Sequence, residues 1–258
     1  MSAKSWKTAI TKIEPNKIVI RGYRLDQLMG KFTYPQLIYL LIKGELPTKN
    51  VGRILDALLV SSVDHGLTAP STQAAVTVAS TGAPLNAALA AGILAINQHH
   101  GGAIEKVMER LEEAVLRVNH HKESVEEVAR SIVQETLRED KPLEGFGHRY
   151  HTRDPRAQRL LELAQKYGIS GRYIEMIHAL QQALQQQTRQ EIFVNIDGAI
   201  AAVLCELNIP AKLANAFFIM ARIPGLLAHI YEEQTRYQPM RPIDFSAVEY
   251  DGPEEREI

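Results

Sequence analysis

From position 33 onward the apolar residues recur every three or four places, a helical period broken only by short polar or glycine-bearing links. Thr33 stands as a cap before a helix through Lys43, with Gly44 as its stop. Leu46-Pro47-Thr48 opens a second helix carrying Val51, Ile54, Leu55, Leu58 and Leu59. Further helical stretches cover 102–118, 124–138, 155–166, 173–187, 194–207, 211–222 and 225–234. The last two are divided at Ile223-Pro224, because proline lacks the amide that a helix interior uses. Residues 8–13 and 17–22 alternate apolar and polar positions around Pro15-Asn16, the pattern of a hairpin. The pattern predicts an all-α fold with a small N-terminal β-hairpin.

The stretch 74–95 is different. Ala79, Ala83, Ala87, Ala88 and Ala91 leave little side-chain bulk, which permits close helix approach. It reads as a buried helix pair or a subunit interface.

Composition narrows the class. The 258 residues are 45% hydrophobic and 23% charged, ordinary for a soluble globular protein. A net charge of −1 offers no general attraction to nucleic acid or to an anionic membrane, so neither is expected as a partner. The single cysteine, Cys205, excludes an intrachain disulfide framework and fits a reducing cytoplasm. Residues 1–12 lack the apolar core of a signal peptide, and no uninterrupted apolar run is long enough to span a bilayer.

The chemistry concentrates in residues 145–156. Gly145-Phe146-Gly147 reads as a flexible turn delivering His148, and Arg156 stands just inside the helix start at Asp154-Pro155. An imidazole, a guanidinium and open backbone N–H groups suit a small polyanion with a polarisable carbonyl. Elsewhere, His65 follows Asp64 at a helix end, and His100 precedes Gly101-Gly102-Ala103. His120-His121 reads as surface, and His178 and His229 as structural residues within helices. No histidine or cysteine spacing matches a metal site, so no metal is expected. No Gly-x-Ser-x-Gly elbow is present. Asp197, between Ile196 and Gly198 in an apolar run, reads either as a helix N-cap or as an acid–base group tuned by burial. Arg222 interrupts Phe217–Ala221 at a helix break, where a guanidinium needs a buried anion. Arg241, in Met240-Arg241-Pro242, has no helix to support it.

These spots fall in an order that resembles the citrate synthase superfamily along nearly the whole chain. Gly145–Arg156 is similar to that family's signature loop, His100-Gly101-Gly102-Ala103 to its His-Gly-Gly-Ala segment and Asn195-Ile196-Asp197 to its Asn-Val-Asp. Asp64-His65, Ala221-Arg222, Met240-Arg241-Pro242, Ile20–Tyr23 and Gly44-Glu45-Leu46-Pro47 also match. One departure is large. Citrate synthases place a long helical block between the last of these segments and Asp-His, whereas here a single helix joins Pro47 to His65. That compact form resembles citryl-CoA lyase and the C-terminal module of ATP-citrate lyase, although His100 is a histidine that the latter module lacks.

The resemblance implies a citrate synthase-like domain over 1–258, with a large helical part of about 1–140 and 198–258 and a CoA-side lobe of about 141–197. It implies retro-Claisen cleavage of citryl-CoA to acetyl-CoA and oxaloacetate, as in a reductive tricarboxylic acid cycle. His100, His148 and Asp197 would be catalytic: His148 at the hydroxyl, His100 on the thioester oxygen, Asp197 at the enolate carbon. His65, Arg156, Arg222 and Arg241 would hold carboxylates, Arg241 from a neighbouring subunit. Gly145, Phe146, Gly147 and Arg149 would contact CoA. It further implies no cofactor beyond the CoA thioester itself, a homo-oligomer of at least two chains, and functional pairing with an enzyme that forms citryl-CoA. Two alternatives stand beside it: a short citrate or 2-methylcitrate synthase, and a non-catalytic lobe binding an acyl-CoA or a partner subunit.

Overall fold

The structure, a computed structural model, describes residues 6–121, 123–241 and 245–257. Pro242 of the Met240–Pro242 motif lies outside them, as does the start of the N-terminal segment. The described residues form eleven α-helices and one three-stranded antiparallel sheet, so the fold is all-α as expected. The hairpin pairs β1 (Thr11–Glu14) with β2 (Lys17–Ile20), closing at Glu14↔Lys17. Asn16 in the connection adopts φ 59°, a left-handed conformation that asparagine tolerates. A third strand, β3 (Tyr23–Arg24), pairs with β2. Two residues carry no readable period, and the sequence did not reveal it. Arg21 ties the sheet to the second helix, Tyr34–Lys43: its Nε and Nη2 donate to the Leu41 carbonyl at 3.1 and 2.7 Å.

The chain divides into two compact units, 1–64 with 96–223 and 65–95 with 224–258. The expected lobe 141–197 lies wholly inside the first.

In the first unit, a single turn, α1 (Leu25–Leu28), precedes α2 (Tyr34–Lys43) and α3 (Lys49–Ser61). Gln36 accepts from the Thr33 amide, and Thr48 Oγ1 accepts from Val51, so both helix starts use local side chains as caps. Gly44, at φ 80°, ends α2 in the left-handed region. After these come α6 (Ala103–His121), α7 (Val125–Arg138), α8 (Pro155–Lys166), α9 (Arg172–Thr188) and α10 (Ile196–Glu206). Helix α6 continues through positions 119–121, where the sequence suggested a link; the break waits for Ser124, whose capping box with Glu127 starts α7. Helix α10 is buried on every face from Gly198 to Cys205, which explains its unpatterned apolar run. Its last residue, Glu206, reaches back to cap α9, one carboxylate oxygen accepting from the amides of Gly171, Tyr173 and Ile174 at 2.9–3.0 Å. Met108, Leu111, Ile177, Val203 and Leu204 are fully buried in the shared core, each such side chain stabilising by about 1.5–3 kcal/mol.

The second unit holds α4 (Pro70–Ser80), α5 (Leu85–Leu94) and the C-terminal half of α11 (Ala214–Arg236). The small residues form a helix pair: Ala75, Ala79 and Ala88 are buried with Leu226 and Ile230. At Gly92 a Cβ would come within 3.0 Å of Ala75, Leu226 and the Ser71 carbonyl. Yet α5 buries only Ala88 and Gly92, leaving Leu85 and Leu94 exposed.

Helix α11 corrects two expectations. It runs unbroken past Pro224, with a short 3-10 turn at Ala211–Leu213 before it. Proline deprives one carbonyl of its partner, but the apolar residues on both sides still bury within their own units, and the helix persists. The segment Ala211–Arg236 is also long and apolar enough, by length and composition, to cross a membrane. The sequence showed no such run because Arg222 and His229 interrupt it; burial of Phe217, Phe218, Leu226 and Ile230 supplies a core-packing reason for its apolarity.

Candidate active site

The signature loop is pinned rather than free. Gly147 N–H donates to the Phe193 carbonyl at 2.8 Å, and Asn195 N–H donates to Gly145 at 3.0 Å, pairing Phe146 with Val194 as a short antiparallel bridge. Asn195 adds Nδ2 to the Gly147 carbonyl at 2.7 Å, while its Oδ1 accepts from Gly198 N–H and caps α10. Gly145 adopts φ 87°, and a Cβ there would lie 2.9 Å from Val107. The loop therefore sits against the first turn of α10.

His148 leaves this loop with its ring half-buried. Its Nδ1 accepts from the amides of Tyr150 and His151, each at 3.0 Å. In the neutral ring the proton must then be on Nε2. Burial pushes its pKa below the usual histidine value; Asp154 opposes this, while His151, Arg156 and Arg149 reinforce it. The chain next delivers Asp154, whose side chain is 1% exposed. Asp154 Oδ1 accepts from Arg156 N and Nε at 3.0 Å; Oδ2 accepts from Arg156 Nη2 at 2.9 Å and Ile196 N at 3.1 Å. Arg156 is thus held in a fork with part of its donor set still open.

Asp197 separates the two readings that the sequence left open. The N-cap of α10 is Asn195, and Asp197 sits within the first turn. Burial raises its carboxyl from the ordinary value to about 6, with Arg156 and Arg222 pulling it down and Asp154 pushing it up. That rise occurs despite the helix N-terminus, which favours the charged form.

Arg222 lies in mid-helix rather than at a break and is 2% exposed. Its Nε donates to the Ser62 carbonyl at 3.0 Å, its guanidinium stands 5.0 Å from the Phe218 ring, and Nη1 is buried with no partner. Burial lowers its pKa, while Asp64 and Asp197 raise it. Phe218, one turn before Arg222, also meets His100 edge-on with ring centroids 5.5 Å apart. Gly101 lets it approach, since a Cβ there would lie 2.7 Å from Phe218 Cδ1. His100 N–H donates to Asn97 O at 2.9 Å, closing the turn before α6.

The first unit therefore gathers His100, His148, Arg156, Asp197 and Arg222. Arg149 is exposed on its surface. His65 and Arg241 belong to the second unit. Arg241 has a helical support that the sequence did not suggest: Glu233 of α11, buried to 3%, accepts from Arg241 Nε at 3.0 Å and from Nη2. Tyr237 stacks 4.4 Å beneath the guanidinium. Asp154, Asn195, Phe218 and Glu233 were not singled out as site residues. Only the first two gave a local signal, as cap residues ahead of apolar runs.

A family model for the citrate synthase C-terminal domain matches residues 1–52 and 47–243. The chain belongs to the citrate synthase family. Among solved structures, citryl-CoA lyase from Hydrogenobacter thermophilus is 41% identical with a TM-score of 0.90, covering 99% of this chain and 98% of that one. ATP citrate lyase from Methanothrix soehngenii, in complex with citrate and coenzyme A, shares the fold at 18% identity and TM-score 0.85, over 99% of this chain and 43% of that one. Among curated sequences, putative citrate synthase 2 of Mycobacterium tuberculosis is 37% identical over 82% of this chain and 54% of its own length. The chain spans about half the length of the curated relatives it matches.

Proposed function

We propose that this chain is a citryl-CoA lyase that cleaves citryl-CoA to acetyl-CoA and oxaloacetate. The observation that carries the reading is the couple of Asp197, a carboxyl raised to about 6, with Arg222, a buried guanidinium whose Nη1 lacks a partner. A proton source beside an unsatisfied cation suits a substrate carrying a carboxylate next to a carbon that must be protonated.

Cleavage moves the electrons of the carbon–carbon bond into a thioester enolate. Asp197 gives that enolate carbon its proton. His100 donates a hydrogen bond to the thioester oxygen as charge builds there. With Nδ1 engaged by two backbone amides, His148 donates from Nε2–H to the substrate hydroxyl oxygen and then to the nascent ketone. The hydroxyl proton leaves to solvent, which in turn restores the proton that Asp197 gives up. Arg156 and Arg222 hold carboxylates; His65, and Arg241 from a neighbouring subunit, are proposed as further carboxylate ligands. Phe146, whose neighbours in the bridge use their backbone groups internally, offers its own amide to CoA, and exposed Arg149 meets a phosphate. The chain acts as a homo-oligomer, for which the exposed apolar face of α5 is the candidate interface.

Two further observations favour cleavage over synthesis. One helix, α3, spans the interval from Pro47 to Asp64, and the citryl-CoA lyase match covers both chains almost entirely. The competing reading is a short citrate or 2-methylcitrate synthase, favoured by the names of the curated relatives. Citryl-CoA given to the purified chain separates the two. Oxaloacetate and acetyl-CoA are expected; free citrate and CoA would establish the synthase instead.

A further inference from the structure

Asp154 does more than a helix cap requires. Capping α8 takes one acceptor bond, from Arg156 N to Oδ1, which serine or asparagine supplies equally well. Here the remaining acceptor capacity goes to two other places. Nε and Nη2 of Arg156 dock on both oxygens, and the Ile196 amide, 42 residues on, docks on Oδ2. Ile196 opens α10 and immediately precedes Asp197.

We infer that Asp154 is a positioning residue for the reaction, one buried carboxylate that fixes both the Arg156 fork and the turn of α10 that carries Asp197. The inference rests on the lyase reading and goes further by naming what aligns its carboxylate clamp with its proton donor. A guanidinium has five N–H donors in a rigid plane. Docking Nε and one N–H of Nη2 on Asp154 orients the other edge, which then presents its donors in a fixed direction. Because the same carboxylate also accepts from Ile196, any displacement of the Arg156 fork is shared by the first turn of α10. The charge matters as well as the shape. Arg156 and Arg222 draw Asp197 towards ionisation, and Asp154 is the group that opposes them. Asp154 itself stays ionised: burial would raise its pKa, but the Arg156 bonds and charge and the two amides bring it below the ordinary value.

The test follows the carboxyl of Asp197 directly, by carbon-13 NMR titration of the full chain labelled at aspartate, with the signal assigned through Asp197→Asn. In Asp154→Asn, which keeps the cap acceptor and loses the charge, the Asp197 titration should move down by about one pH unit. Asp154→Glu, which keeps the charge, should stay within a few tenths of a unit of the parent on the same grounds. In turnover, the alkaline limb of kcat should move down with the titration in Asp154→Asn, and KM should rise about tenfold as the fork loosens. A folded Asp154→Asn chain with an unmoved Asp197 titration would overturn the inference, whatever its activity. If Asp154→Asn does not fold, Arg156→Gln reads the same couple from its other end, and Asp197 must then move up; no movement would equally overturn it. Should the titration move while Asp197→Asn retains full turnover, the link from Asp154 to Asp197 stands and the acid role of Asp197 falls.

Discussion

Gly198 faces Gly145 backbone to backbone: a Cβ built on Gly198 would lie 2.4 Å from the Gly145 carbonyl oxygen. That carbonyl already accepts from Asn195 N–H, so it cannot swing aside without breaking the bridge that seats the signature loop on α10. Gly198→Ala should therefore cost about 1–3 kcal/mol through overpacking and lower the urea midpoint. Activity should fall further than stability explains, because the displaced loop carries His148. A variant with the parent's midpoint and turnover would show that the two backbones separate freely.

Asp197→Asn should abolish cleavage in a folded chain, since the amide is near-isosteric but has no acidic proton to give. Its effect on stability runs the other way. In the folded chain the Asp197 pKa is raised to about 6, so the native state holds a proton that the unfolded chain has already released near pH 4. Between those values stability falls as pH rises, and above them the deficit is complete. Removing the carboxyl should make the protein more stable at pH 7, on the order of 1–3 kcal/mol. At pH 3 the gain should vanish. Denaturant melts at both pH values read it, and an equal gain at both would contradict a carboxyl whose pKa is raised in the folded chain.

The sequence was most legible where structure is local. Thr48, Ser124 and Asp154 announce helix starts because their side chains cap amides two or three residues away. The chemistry of Asp197 and Arg222 was visible as charge in apolar runs, since burying either needs a reason. Long-range partners left no such trace. The Glu206 cap on α9, the Asp154 bond to Ile196 and the Glu233 clamp on Arg241 join residues that no period connects. Pro224 misled because the rule for proline describes one lost hydrogen bond, whereas α11 also buries Phe217, Phe218, Leu226 and Ile230 on either side of it and stays continuous.

Arg222→Met tests stability and binding together. The guanidinium is buried with Nη1 unpartnered, and methionine fills much of its volume without charge. The gain known for replacing a whole buried ion pair does not apply. Methionine leaves the Ser62 carbonyl without its Nε donor and Asp197 without one neighbouring cation, a cost of about 1–3 kcal/mol. The ligand-free variant should thus melt somewhat below the parent. Oxaloacetate at a hundred times its Kd should stabilise the parent by about 2.7 kcal/mol and the variant hardly at all. Equal stabilisation of both would remove Arg222 from the carboxylate site.

Arg241 and Glu233 set the paired case. Glu233 is buried to 3%, and among the described residues the hydrogen bonds to its carboxylate come from Arg241. Arg241→Ala would strand that charge and should destabilise the chain by about 1–3 kcal/mol, less than for a fully buried pair because the guanidinium is itself 38% exposed. Glu233→Gln relieves the stranded charge, so the double variant should recover most of the loss, a coupling that a double-mutant cycle in urea measures directly. Activity need not return with stability, because the guanidinium itself is the proposed carboxylate ligand. A chain whose stability ignored Arg241→Ala would mean that the clamp on Glu233 contributes nothing, leaving Arg241 to the substrate alone.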